Sequence, residues 1–257
     1  MLDKTVSKVY MHNAHGHALS GRITKPLDQV IEVQAGTSLP TSGGVGHARV
    51  DKFHYQDFVS FGAGYTYVSG SKLDDESYTT LVTATVEKLN ILDVVTADTV
   101  VARVAATQKL GDPEPLITVL GSKIENLRIA GREVELDLAD ELFLELKTFS
   151  SIIDAFATNA DFRRMAADPA IAGRPTTPID ANGALLCSLV KDMSVKTPAI
   201  TPKGHAFEVR EFGMVYVGEV FAQYGKRTVT MLRVELGCPV VGTVIAAQTV
   251  GNGTHWP

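Results

Sequence analysis

Three histidines near the start of the chain, in the run His12-Asn-Ala-His15-Gly-His17, form the sharpest local grouping of chemically able side chains. Successive side chains on a strand point to opposite faces, so His15 and His17 share a face and their imidazoles can chelate one metal ion. His12 joins them if the backbone bends at Gly16. The expectation is exposed or hydrogen-bonded histidines near a mobile N-terminus, within an N-terminal arm over residues 1–46 that carries one edge strand at 29–34. The alternative is a divalent transition metal on His12, His15 and His17.

Other candidates carry less. His47 and His54, interleaved with Asp51 and Asp57, either form a second cluster or sit on the wet face of a strand over 49–59. No Gly-x-Ser-x-Gly elbow occurs. Cys187 lies in an apolar run, where burial raises a thiol pKa and silences it, whereas Cys238 precedes Pro239 at a strand end and is the more accessible. Gly43, Gly44 and Gly46 are followed by no Lys-Ser or Lys-Thr, so they do not form a phosphate loop. Phe53, Tyr55, Phe61, Tyr65 and Tyr67 share strand parity. Such a set is most often core; the alternatives are a pocket for a small apolar ligand, a sugar platform or a subunit interface.

The elements that must position these groups are mainly strands. The chain has 257 residues, 45% hydrophobic and 21% charged, enough for a sizeable core without disulfides. A net charge of −5 with no basic stripe argues against nucleic acid. There is no run of about 18 apolar residues to span a bilayer, and no apolar run of leader type at the start. Two cysteines are too few for a disulfide framework.

From His47 onward, short β-rich runs separated by Gly, Pro, Asp and Asn give the pattern of an antiparallel β-sandwich or barrel. Residues 133–138 alternate cleanly, as do 232–236. In 81–91 the apolar parity changes between Val86 and Leu89, which places a bulge near Lys88. Residues 94–106, small and β-branched on both faces, read as a central strand. Glu87-Lys-Leu-Asn-Ile and Glu125-Asn-Leu-Arg-Ile echo one another. One stretch differs: Leu142, Leu146, Phe149, Ile153 and Phe156 mark a helical stripe, and Asn159 caps a further turn leading to Phe162 and Met165. This is a helical insertion around 140–168, stopped at Pro169, with an exit loop to residue 178.

The His-x-His spacing resembles the metal motif of cupins, but the Glu of that motif has no counterpart in Ala18-Leu19-Ser20-Gly21. The stretch VEKLNILDVVTADTVVARVAA at 86–106, with Gly121-Ser-Lys-Ile-Glu-Asn-Leu-Arg-Ile-Ala-Gly131, resembles bacterial surface proteins of the choice-of-anchor P type. That resemblance implies a secreted or wall-associated bacterial β-domain; the helical insertion departs from the pattern. The expectation is therefore a non-enzymatic binding or structural and assembly β-domain in one unit, self-associating through a strand edge and free of cofactor. The alternative is a metal-dependent or metal-binding protein using the N-terminal histidines.

Overall fold

A computed structural model describes residues 9–26, 28–166 and 183–256. In chain order the strands are β1 (Val9–Lys25), β2 (Gln29–Gln34), β3 (Thr37–Ser38), β4 (Gly44–Tyr55), β5 (Val59–Lys72), β6 (Ser77–Ile91) and β7 (Val95–Lys109). There follow β8 (Leu116–Thr118), β9 (Lys123–Glu125), β10 (Arg128–Ile129), β11 (Arg132–Glu133) and β12 (Glu135–Leu138), then helices α1 (Asp140–Glu145), α2 (Phe149–Thr158) and α3 (Ala160–Ala166). The last strands are β13 (Leu185–Ser188), β14 (Val190–Ser194), β15 (Ile200–Lys203), β16 (Ala206–Val209), β17 (Gly213–Gln223), β18 (Lys226–Gly237) and β19 (Val241–Trp256).

The architecture is mainly antiparallel β and sandwich-like, with no closed barrel among the described residues. Sheet A runs β15-β16-β17-β18-β19-β1-β2, and sheet B runs β11-β10-β7-β6-β5-β4. One core joins them: Leu19 and Ile23 of β1, Val229 of β18 and Val244 of β19 belong to the same buried cluster as Phe61, Val86 and Val100 of sheet B. Residues 9–25 thus form no loose arm. β1 is an interior strand, paired along its length with β19 and on its other side with β2 and β3. The expected edge strand is β2, with the expected bounds.

Each long strand changes the side-chain parity that meets the core. In β6, Val82, Ala84 and Val86 are buried, then Leu89 and Ile91. The change falls at Lys88, whose φ is +54°, where the sequence placed it. A left-handed residue interrupts the strict alternation of a strand. The same conformation occurs at Lys52 in β4, Gly218 in β17 and Ala247 in β19. Beside Ala246 and Ala247, both buried, the neighbouring strands also bury two consecutive residues, Met231 and Leu232 in β18 and Ala18 and Leu19 in β1.

This explains the echoed pentapeptides. β7 is central, flanked by β6 on one side and by β8, β9 and β10 on the other. Glu87 and Glu125 both oppose Thr99, and Ile91 and Ile129 both oppose Val95. Lys88 and Asn126 are both left-handed, at φ +54° and +52°. Both pentapeptides therefore bury Leu and Ile through one local geometry.

The helical stripe is real but divided. Thr148 caps α2 by accepting from Ser151 N, in a capping box with the Ser151 side chain, so the chain restarts between Leu146 and Phe149. Asn159 Oδ1 accepts from the backbone of Asp161 and Phe162 as expected. Phe143, Leu146, Ile152 and Phe162 enter the core, whereas Leu142, Phe149, Ile153 and Phe156 are half-buried against it. Pro169 and the exit loop lie outside the described residues.

A left-handed backbone costs an L-residue with a Cβ about 1–2 kcal/mol, most for a β-branched one. Lys88→Val is accordingly expected to lower unfolding stability by at least about 1 kcal/mol, and Lys88→Asn to leave it nearly unchanged, as read from urea denaturation midpoints.

Candidate functional site

The structure separates the N-terminal histidines. Even-numbered residues of β1 turn inward from Tyr10 to Ala18, so His12 is buried while His15 is exposed and His17 half-exposed on the outer face of sheet A. The ring of His12 meets Tyr10 edge-on at 4.7 Å, and Tyr10 stacks on Tyr78 of sheet B at 4.3 Å. Its Nδ1 shares a 3.1 Å hydrogen bond with Thr80 Oγ1, and a Cβ added at Gly70 would stand 2.6 Å from that nitrogen. His12 is therefore an inter-sheet tie. Burial holds its pKa below the ordinary imidazole value.

His15 and His17 do share a face. His17 Nε2 is hydrogen-bonded with Ser20 Oγ at 2.8 Å, and burial, then the neighbouring His15, lower its pKa. For His15, loss of solvation and then the Lys226 ammonium act in the same direction. Among the described residues no group of three His, Cys, Asp or Glu side chains stands ready to hold a metal.

A cross-strand row leads from His17 through Gln248, Thr230 and Glu219 to Ser188. Glu219 anchors a buried charge cluster. It receives both Arg233 Nε and Arg233 Nη2 at 2.7 Å, and His205 Nε2 lies 3.5 Å from its Oε1. Arg233 also contacts Glu235 and stacks 3.7 Å over the Tyr216 ring. Gly218, at φ +65°, precedes Glu219 and turns it to the outer face. Burial pushes the Glu219 carboxyl up, but the Arg233 hydrogen bonds and His205 outweigh this and hold it at about 2. A carboxylate so firmly ionised is a poor proton acceptor. His205 and Ser188 line a cleft of about 900 Å³ together with Asp140, Lys191 and Met165. Sequence reasoning missed this cluster, because Glu219 and Arg233 come together only through the β17–β18 register.

The aromatic set also divides. Phe53 and Phe61 stack at 4.9 Å and, with Tyr55, pack on the core. Beyond the parity change Tyr65 and Tyr67 face outward, so the five residues line no common pocket. On the outer face of sheet B, His47, Tyr67, Thr83 and Arg103 stand in one row across β4, β5, β6 and β7. Adjacent strands are about 4.8 Å apart, so the row spans about 14 Å. Tyr67 is 40% exposed. In the next row Arg49 lies 5.5 Å over the Tyr65 ring and Tyr65 donates to Glu87 at 3.1 Å. His54 is exposed, 4.0 Å from Asp57, and takes no part in either row.

Both cysteines are free. Burial pushes the Cys187 thiol up to about 12, as its apolar surroundings suggested, and half-buried Cys238 donates to Val240 O.

Residues 10–174 match the model of a family described as a domain of unknown function, DUF8256. No curated protein and no solved structure matches significantly, and nothing links the chain to the choice-of-anchor P proteins. The matched span takes in all of sheet B and the helices but leaves out β13 to β19 and the Glu219 cluster.

Acid should weaken this fold in two steps. Folded His12 has its pKa below the unfolded value of 6.5, so its contribution is complete above about pH 6.5 and is lost as pH falls through the lower folded value. Glu219, lowered from 4.5 to about 2, contributes fully above pH 4.5 and loses that contribution as pH falls towards 2. Glu219→Gln, which strips a buried Arg233 of its main partner, is expected to cost about 3 kcal/mol at neutral pH and to flatten the lower step. Urea midpoints measured across pH check both.

Proposed function

Because the chain belongs to the DUF8256 family, a domain of unknown function, its role must be read from geometry, and we propose a non-enzymatic binding β-domain that takes a saccharide on the outer face of sheet B. The observation that carries this reading is the row His47, Tyr67, Thr83 and Arg103. An exposed tyrosine ring offers an apolar surface to the C–H face of a sugar, and the imidazole, hydroxyl and guanidinium beside it supply hydrogen bonds to hydroxyl groups. The row is open and lies on regular strands, which suits an extended chain better than a small apolar ligand needing enclosure. The Glu219 cluster supports a non-catalytic role, because its charges are already committed to one another.

Affinity electrophoresis in gels containing neutral glucans or uronic-acid polymers tests the reading. Retardation by at least one polymer is expected, weakened about tenfold or more by Tyr67→Ala with the melting temperature unchanged. Equal migration in every polymer would sink the proposal.

A second reading keeps a divalent transition metal on the N-terminal histidines. It is supported by the shared face of His15 and His17, and needs only those two as protein ligands. Equilibrium dialysis with Zn²⁺ is expected to show binding lost in His15→Ala and His17→Ala but kept in His12→Ala, whose ring is on the opposite side of the strand.

A further inference from the structure

The strands that end the sheets differ in how they are protected. An edge strand offers unpaired backbone N–H and C=O groups to any partner, and proteins blunt it by shortness, proline, bulges or charge. β15 has four residues and carries Pro202. β2 has six, and its register with β1 shifts between Leu19 and Gly21. β11 has two. β4 has twelve, pairs only with β5, and its outer edge makes no backbone hydrogen bond among the described residues. Its regular stretch, residues 45–51, lies between two residues of positive φ, Gly44 at +113° and Lys52 at +55°. Along that stretch the core is incompletely covered: Ala48 and Val50 pack against it while only half-buried.

We propose that β4 pairs antiparallel with β4 of a second copy, about a two-fold axis through Ala48. In such a pair opposite residues must point to the same face, so the axis passes through a residue. Ala48 is the midpoint of residues 45–51, so an axis there uses the whole regular stretch. Gly46 then opposes Val50 of the partner subunit and Ala48 opposes its own copy, a small-to-large match over the half-covered core. On the outer face His47 opposes Arg49 of the partner subunit, whose charge is balanced within its own strand by Asp51 at 2.8 Å. Centring on Arg49 instead would set two guanidiniums face to face. The dimer joins the two B sheets into one, and it does not depend on what their outer faces bind.

Sedimentation velocity across a dilution series is expected to show a monomer–dimer equilibrium. Ala48→Lys, placing like charges directly opposite, should raise the dissociation constant at least about tenfold, as should Ala48→Glu. An equimolar mixture of the two variants should recover the dimer, which a folding defect would not allow. Ala48→Cys in a Cys238→Ser background should oxidise to a covalent dimer, an independent measure if the charged variants fold poorly. A monomer at every concentration, a dimer indifferent to Ala48→Lys, or the absence of both recovery on mixing and cross-linking would overturn the proposal.

Discussion

Side-chain alternation along a strand is rigid, and this molecule depends on breaking it once in each long strand. β1, β6 and β19 have 17, 15 and 16 residues, well beyond ordinary strand length, yet each keeps apolar side chains on the common core. The breaks are coordinated across neighbours: Ala247 is left-handed where β1 and β18 bury consecutive residues, and Lys88 is left-handed where β7 passes from Ala97 to Val100. A change of parity in one strand alone would put a polar row into the core. The shared position of the changes preserves register on both sides.

That constraint also distributes the chemistry. Inward parity makes His12 a tie between sheets, with Tyr10 and Tyr78 stacked around it, while outward parity gives His15 and His17 to a surface. In sheet B it sends Phe53 and Phe61 to the core and Tyr65 and Tyr67 to solvent. The outer face of sheet A is treated differently, since Glu219, Arg233 and Tyr216 are buried or nearly so and satisfy one another. Two faces of one sandwich thus serve different ends, one closed by ion pairs and the other open and aromatic.

Arg227 shows the limit of this ordering. It is 1% exposed, and its hydrogen bonds to Gln223 O and Lys226 O are long at 3.4 Å. Burial lowers its pKa to about 10, with Cys187 and Glu114 acting against the shift. Glu114 is itself engaged with the start of α2 through Phe149 N at 2.7 Å.

By itself the sequence determined the class of fold, most strand positions, the parity change near Lys88 and the Asn159 cap, because each depends on residues within a few positions of one another. Alternation and capping are local, and they survive folding unchanged. It did not determine that residues 9–25 form an interior strand, since their partners in β19 are more than 200 positions away. Nor did it mark Thr148 as a helix start inside an unbroken apolar stripe, or Lys52 as a further left-handed position. The Glu219–Arg233 pair and the row from His47 to Arg103 exist only through antiparallel register. Register is fixed by the whole set of paired strands and the core between them, so only the tertiary structure could decide which distant side chains share a face.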